Sequence, residues 1–217
     1  EPRWDQEEFA RIKTKTINSI KRDEADPNAV AEKVYDKLLY GEDHIFSYPI
    51  SGTEASVEAI SIADLKAFYS QNFSPSISKF NVVGKIDKAT VLENLKDLEG
   101  KWAAKKVSIP EYPLPNKRDK ASLYFVDIPN AKQSVINIGY LALPRTDKEY
   151  YPAEVMNYKL GGSFSGNVNL ILREEKGYTY GARSGFDGGK VPGTFTASSS
   201  VRTNTTGESV QIFKNEI

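Results

Sequence analysis

The chain has 217 residues, with 29 basic and 29 acidic side chains and therefore a formal net charge of zero. This balance gives no reason to expect a nucleic acid or an anionic membrane surface as a partner. Hydrophobic residues make up 39% of the chain, enough for a sizeable core, and the absence of cysteine excludes disulfides and thiolate metal sites. A periplasmic and a cytoplasmic location fit equally well. Because the sequence begins without Met and ends inside a predicted helix, we expect it to be part of a longer protein.

The start of the chain predicts two helices. In residues 4–23, apolar residues recur at helical spacing among many charged ones, as on a helix with one buried face. Asp26 and Pro27 then suit the N-cap and the first position of a second helix. Gly41 is expected to end that helix.

Two more helices and one strand are predicted before residue 101. Ser61 opens a sequence similar to a capping box, and Asp87 is placed to cap a further helix with one apolar face. The side chains expected to face inward on that helix are Val91, Leu92, Leu95 and Leu98. Between the two helices, residues 80–84 are predicted to form a short buried strand.

Residues 101–119 interrupt this pattern. The segment contains Pro110, Pro113 and Pro115 together with several basic residues, a composition typical of an extended, semi-rigid connector. We therefore predict a linker here. It separates a helix-rich region, residues 1–100, from a second region, residues 120–217.

Strands are predicted to dominate the second region. Residues 121–128 and 134–143 are strand-like, and the short loop between them predicts an antiparallel hairpin. Residues 193–201 are expected to form a further strand. Two helices are also predicted, one from Thr146 or Asp147 to Leu160 and one that begins with a capping box at Thr205.

The most informative stretch is residues 161–186, with the sequence GGSFSGNVNLILREEKGYTYGARSGF. Ser163 or Ser165 is a candidate cap for a short helix. The apolar residues expected on one face of this helix are Val168, Ile171 and Leu172. No Gly-Lys-Ser or Gly-Lys-Thr follows the glycines, so the loop is not expected to bind a nucleotide phosphate.

A turn and a strand are predicted directly after this helix. Gly177 is expected to adopt the left-handed conformation, and from Tyr178 the pattern changes to a period of two, with Tyr180 and Ala182 on the same face as Tyr178. A chain that doubles back at Gly177 would bring Arg173 and Tyr180 to one corner. On the residues alone, the alternative is that Arg173 meets the helix dipole and Tyr180 simply packs.

The sequence LREEKGYTYG at residues 172–181, preceded by LGG, resembles the Arg/Tyr motif of the insulinase-like zinc metallopeptidases, family M16. LLYG at 38–41, DLKAFY at 64–69 and VVG at 82–84 resemble the family in the same order. The resemblance implies an α+β fold, in which helices pack on one face of a mixed, mainly antiparallel sheet. Such rolls repeat in the family, so residues 1–100 would end one roll and residues 120–217 would begin the next.

The same resemblance implies a function. In the family, the Arg and the Tyr contact the peptide substrate and complete an active site whose zinc is bound elsewhere, by an H-x-x-E-H motif and a downstream Glu. Arg173 and Tyr180 are therefore implied as catalytic residues. The implied partner is a zinc-bearing H-x-x-E-H domain, in the same polypeptide or in a second subunit. The sequence GNV at 166–168 departs from the SRL that relatives often show.

We expect no metal or other cofactor to be bound by this chain itself. When the family pattern is aligned on Asp26 and Pro27, Ser19 occupies the position of the third zinc ligand, and a hydroxyl is a poor zinc ligand. His44 is the only histidine, so no H-x-x-E-H motif can be formed. A structural role is expected for His44, and the fragment alone is predicted to be inactive.

Two other functions fit the same residues. Some M16-like proteins are non-proteolytic structural subunits of larger complexes. A peptide-binding module would instead add its ligand as a strand to the edge of its sheet. The Arg173 and Tyr180 pair argues modestly against the structural subunit.

Overall fold

The computed structural model of the chain describes residues 2–114 and 120–217. The chain divides into two compact units, one formed by residues up to Ile17 together with Glu54–Glu111 and the other by Asn18–Thr53 together with Tyr112–Ile217. Part of the predicted linker, residues 115–119, lies outside the described residues. The domain boundary at residues 101–119 therefore stays a prediction.

The described residues form helices, strands and two π-helical turns. The helices are α1 (Gln6–Asp23), α2 (Pro27–Tyr40), α3 (Glu54–Ala59), α4 (Ile62–Asn72), α5 (Lys88–Lys101), α6 (Tyr150–Asn157), α7 (Asn167–Asn169) and α8 (Thr206–Glu216). The strands are β1 (Gln133–Leu141), β2 (Thr179–Asp187) and β3 (Thr194–Arg202), and the π-helical turns are Tyr158–Gly162 and Leu170–Glu175. None of the helices in residues 2–114 and 120–217 combines the length and the apolar character needed to cross a bilayer.

Three helices begin at their predicted caps. The carboxylate of Asp26 accepts a hydrogen bond from Asn28 N at 2.8 Å, directly before α2. Ser61 and Asp64 form the predicted capping box at the start of α4, and Asp87 caps α5. These side chains bind amides that would otherwise lack partners in the first helical turn.

Two predictions about the first unit are wrong. Residues 80–84 form no strand, and none of the described strands pairs with this segment. Val83 is fully exposed instead of buried. The apolar side chains of α5 do not face a core, because Leu92 is 53% exposed and Leu98 is 48% exposed, while Val91 and Leu95 are half-buried. Helical spacing shows which side chains share a face, but not whether another element covers that face.

An antiparallel sheet with the strand order β1-β3-β2 lies in the second unit. The predicted strand at residues 193–201 is confirmed as β3, which is the central strand. Phe195, Ala197 and Val201 on one face of β3 are buried, whereas Thr194 and Thr196 on the other face are half-buried. The alternation predicted for this strand is therefore present.

The predicted hairpin between residues 121–128 and the following strand is not formed. Residues 121–128 have no regular structure, and β1 pairs along its whole length with β3, with Val135 opposite Ser200. A strand-like sequence predicts an extended backbone but does not identify the strand that supplies its hydrogen bonds. Here the partner of β1 is about 60 residues away in sequence, a separation that local patterns do not report.

The hydrophobic core lies on one face of this sheet. Val168 and Leu172 come from α7 and the π-helical turn after it, and Phe213 comes from α8. These side chains are fully buried against Ala197 and Val201 of β3. The predicted apolar face of the short helix is therefore confirmed for Val168 and Leu172, whereas Ile171 is only half-buried. Val168 and Leu172 attach the segment before β2 to the centre of the sheet.

The opposite face of the sheet contacts α2 through hydrogen bonds. Tyr35 Oη lies 2.9 Å from Thr196 Oγ1, and Ser200 Oγ donates to Asn28 Oδ1 at 3.0 Å. Thr196 and Ser200 alternate with the buried apolar residues of β3, so they point away from the hydrophobic core. This polar face is covered by a helix that satisfies its hydroxyl groups.

Asp36 on α2 is a half-buried carboxyl group. Burial, and secondly the neighbouring Glu32 carboxylate, raise its pKa from 3.8 to about 6. Tyr40, one turn further along α2, is also affected, because burial and the charge of Asp36 raise its pKa to about 12. In the folded chain Asp36 is therefore protonated below about pH 6 and ionised at pH 7.

We predict that Asp36 contributes a fall in the free energy of unfolding as the pH rises from about 4 to about 6. In this range the folded state retains a proton on Asp36 that the unfolded state has lost, so deprotonation disfavours folding. Asp36→Asn should remove this slope and raise stability at pH 7 by about 1 kcal/mol, a figure reduced for the solvent contact of a half-exposed group. Urea unfolding at several pH values measures both effects.

The matched control for this experiment is Asp97→Asn. The Asp97 side chain is 90% exposed on α5, and its 3.5 Å ion pair with Lys101 lies at the surface, where such pairs contribute little to stability. Its substitution should leave the pH dependence unchanged. An Asp36→Asn variant that kept the wild-type slope would show that burial does not disfavour the Asp36 charge.

Candidate functional site

Arg173 lies in the π-helical turn Leu170–Glu175 between α7 and β2. Its guanidinium carbon is 4.5 Å from the centre of the Phe164 ring, and its Nε is 3.5 Å from the Glu174 carboxylate. The side chain is 34% exposed. A guanidinium over an aromatic face is attracted by the ring, so Phe164 holds this charge in place while leaving donors open to solvent.

The helical segment that carries Arg173 ends at Gly177, as predicted. Gly177 has a φ of 61°, in the left-handed region that favours glycine. Its amide donates to the Arg173 carbonyl oxygen at 3.1 Å, and Tyr178 N donates to the Leu172 carbonyl oxygen at 2.8 Å. These bonds satisfy the last carbonyl groups of the helix and turn the chain directly into β2.

Neither Ser163 nor Ser165 caps the helix before Arg173, contrary to prediction. Ser163 Oγ donates to the Tyr158 carbonyl oxygen at 3.0 Å and lies 3.3 Å from Ser165 Oγ. The helix begins only at Asn167. The Tyr158 carbonyl belongs to the preceding π-helical turn. Ser163 Oγ bonds to this carbonyl instead of to an amide in the first turn of the helix.

The predicted capping box at Thr205 is also absent. α8 begins at Thr206, but the Glu208 carboxylate accepts hydrogen bonds from Tyr178 Oη at 2.6 Å and from Lys176 Nζ at 2.9 Å. These bonds, that from Tyr178 first, hold the pKa of Glu208 below its ordinary value. Glu208 therefore connects α8 to the two residues that flank Gly177, instead of capping its own helix.

Tyr180 lies in a β-bulge. Thr179 is opposite Val201 and Ala182 is opposite Ser199, so β2 contains one residue more than β3 across this span. The extra residue reverses the alternation at this point, and Tyr180 is 92% exposed although Ala182 is buried. The prediction that Tyr180 shares a face with Ala182 is therefore wrong, because the bulge turns the phenol towards solvent.

Hydrogen bonds hold the backbone of this bulge. Thr179 Oγ1 accepts from Gly181 N at 3.1 Å and donates to the Ser200 carbonyl oxygen at 2.8 Å. Ser199 Oγ donates to the Gly181 carbonyl oxygen at 2.9 Å. These bonds satisfy the amide and the carbonyl of Gly181 and so hold the backbone next to Tyr180.

Arg173 and Tyr180 are thus carried by consecutive elements joined at Gly177. Within residues 2–114 and 120–217, no hydrogen bond connects the two side chains, and the Tyr180 hydroxyl makes none to any other group. Both side chains are donors accessible to a ligand. Their roles as catalytic residues stay predictions.

The Gly-rich stretch before α7 allows close packing on β2. A Cβ atom at Gly161 would lie 2.6 Å from both Ser184 N and Ser184 Oγ, a distance that real Cβ atoms do not adopt. Asn157, at the end of α6, donates to the Ser184 carbonyl oxygen at 2.9 Å and accepts from Ser184 Oγ at 2.5 Å. The chain therefore runs against β2 before it enters the Arg173 turn.

The residues considered as zinc ligands do not fit a zinc site. His44 is buried, its Nδ1 accepts from Phe46 N at 3.1 Å, and its ring stacks on Tyr40 with the centroids 5.1 Å apart. Ser19 is half-buried in α1. In the ranges that the structure describes, no group of three His, Cys, Asp or Glu side chains is placed to hold a metal ion.

The family described as Peptidase M16 inactive domain matches residues 59–217. The chain belongs to this family. It is 25% identical over 184 residues to an uncharacterized zinc protease of Bacillus subtilis, with 83% of this chain and 43% of that protein covered. A relative of the same description from Streptomyces coelicolor is 24% identical over 205 residues, covering 93% and 44%. The chain thus spans less than half the length of the curated relatives it matches.

Solved structures show the same fold. The Peptidase M16 inactive domain from Pseudomonas fluorescens superposes with a TM-score of 0.90 at 23% identity, covering 100% of this chain and 52% of that one. A protease from Helicobacter pylori gives a TM-score of 0.83 at 16% identity, covering 96% and 51%. The predicted α+β fold with an antiparallel sheet and the M16 resemblance are therefore confirmed, but helices lie on both faces of the sheet, since α2 contacts the face opposite the core.

We predict that the isolated chain binds no stoichiometric zinc. It has one histidine, which packs on Tyr40, and no cysteine, and the described part of the chain brings no three His, Cys, Asp or Glu side chains together. Elemental analysis after dialysis against micromolar zinc measures the metal content. One tightly held zinc per chain would contradict the prediction and require a new alignment of α1.

Proposed function

We propose that this chain is the substrate-binding and active-site-completing part of an M16 zinc metallopeptidase. It would act in peptide-bond hydrolysis together with an H-x-x-E-H domain, in the same polypeptide or in a second subunit. The observation that carries the proposal is the pair Arg173 and Tyr180, presented to solvent from a π-helical turn and a β-bulge on either side of Gly177.

The two side chains suit different tasks in peptide hydrolysis. When water attacks a peptide carbonyl, negative charge develops on the carbonyl oxygen, and a positioned donor lowers the barrier. The Tyr180 phenol carries an O–H donor and is 92% exposed, so it is free to donate to that oxygen. The Arg173 guanidinium has a forked set of donors, which suits it to binding a substrate carbonyl.

The rest of the active site would come from outside this chain. The described residues do not fit a zinc ion, whereas the relatives that the chain resembles are named zinc proteases, and its matches cover less than half of their length. Zinc would therefore be bound by the partner domain. This chain would contribute hydrogen-bond donors and contacts to the peptide.

A peptide-binding module without catalysis is the second candidate. Among the described strands, β1 and β2 lie at the two edges of the sheet, where a peptide can add as a further strand. A non-proteolytic M16-like subunit would make still less use of the Tyr180 hydroxyl. Substitution of Tyr180 separates these candidates, because only the peptidase needs its proton donor.

In the complete enzyme, we predict that Tyr180→Phe lowers kcat by about 100-fold to 1000-fold and changes KM little, the usual result of removing one donor to an oxyanion. Arg173→Ala should also raise KM, because it removes a contact made in the ground state and in the transition state alike. Steady-state kinetics beside thermal unfolding measures both effects.

Matched control variants are available in the same unit. Tyr151→Phe removes an exposed hydroxyl from α6, and Arg145→Ala removes a guanidinium that lies 5.5 Å from the Tyr150 ring. Neither control should alter kcat. Full activity in a folded Tyr180→Phe variant would exclude the catalytic role of this residue.

The isolated chain is predicted to have no peptidase activity, because it supplies donors but no activated water. An unstructured fluorogenic peptide should remain intact in its presence and be cleaved once the H-x-x-E-H domain is added. Cleavage by the pure chain that a chelator abolishes would contradict the proposed division of roles.

A further inference from the structure

Asn169 is a buried amide between the two parts of the proposed site. It is 3% exposed, its Nδ2 donates to the Phe164 carbonyl oxygen at 2.7 Å, and its Oδ1 accepts from Ala182 N at 3.0 Å. One side chain therefore joins the loop before α7 to strand β2. No candidate role had been predicted for it from the sequence.

Each bond of Asn169 leads to one of the proposed site residues. Phe164 carries the aromatic ring on which the Arg173 guanidinium lies. Ala182 is the residue at which β2 resumes its pairing with β3 after the bulge that contains Tyr180. A shift of Phe164 or of Ala182 would therefore move Arg173 and Tyr180 relative to each other.

We infer that Asn169 is a positioning residue that sets the placement of the Arg173 guanidinium relative to the Tyr180 phenol. The inference rests on the proposed function, in which the two groups act on one peptide. Because misplacement of a catalytic group by about 1 Å costs up to about 100-fold in rate, loss of this link should affect turnover as well as stability.

Only an amide matches the two partners of Asn169. Ala182 N is a donor and the Phe164 carbonyl oxygen is an acceptor, so the bridging side chain must accept at one atom and donate at the other. Aspartate retains the acceptor but cannot donate when ionised, and it would face the Phe164 carbonyl with a second oxygen. Asn169→Asp therefore preserves shape while breaking the bond to the Phe164 loop.

Asn157 provides a matched control. It is 2% exposed, and it also makes two hydrogen bonds to β2, both of them to Ser184. Neither bond leads to the Phe164 loop or to the bulge. Asn157→Asp should thus disturb a comparable buried amide without acting on the Arg173 and Tyr180 pair.

The first test is kinetic and uses the full-length protein with its H-x-x-E-H domain. For activity per folded molecule, Asn169→Asp should lower kcat by about 10-fold to 100-fold, with a smaller rise in KM, whereas Asn157→Asp should keep the wild-type kcat. Equal kcat in both variants, beside a strong loss in Tyr180→Phe, would overturn the inference. Full activity in Tyr180→Phe would instead overturn the proposed function.

The second test does not depend on peptidase activity. The Arg173 guanidinium lies over the Phe164 ring, so the NMR resonance of the Arg173 Nε proton should show a ring-current shift. Loss of this shift in Phe164→Leu identifies the resonance. Asn169→Asp should reduce that shift and Asn157→Asp should leave it unchanged. Asn169→Ser, which is too short to bridge both partners, serves if the aspartate variant does not fold. An unchanged Arg173 shift in a folded Asn169 variant would overturn the inference.

Discussion

The close approach of the segment before Arg173 to strand β2 is the constraint on which the site depends. At Gly161 the approach leaves no room for a Cβ atom, and in so narrow a space water cannot solvate the backbone of β2. Asn169 on α7 instead binds the Ala182 amide beside the bulge, whereas Asn157 at the end of α6 binds Ser184, further along the strand. Polar packing, rather than apolar contact alone, thus fixes this segment on the sheet.

Two local irregularities convert this packing into an accessible pair of donors. A π-helical turn carries Arg173 at the end of its helix, and a bulge carries Tyr180 at the start of β2. Each inserts backbone that a regular element would not contain, and such insertions are frequent at functional sites because they re-aim a side chain. Glu208 holds the connection between them by binding Lys176 and Tyr178.

Membership of the M16 inactive-domain family agrees with a chain that is organised around donors instead of metal ligands. Its single histidine is used in packing, with Nδ1 bound to the backbone and its ring on Tyr40. The hydrophobic core of Val168, Leu172 and Phe213 supports the Arg173 turn from beneath. A rigid base with exposed donors at its edge suits binding to an extended peptide.

The sequence by itself determined the features that depend on neighbouring residues. The caps at Asp26, Ser61 and Asp87 and the left-handed turn at Gly177 involve atoms within about four residues, so a local pattern suffices. The motif also identified Arg173 and Tyr180 as candidates. Only the tertiary structure decided the partner of β1, the bulge at Tyr180, the bonds of Glu208 and the bridge made by Asn169. Each of these features depends on a hydrogen-bond partner that is not adjacent in the sequence, and the spacing of residues along the chain does not identify that partner.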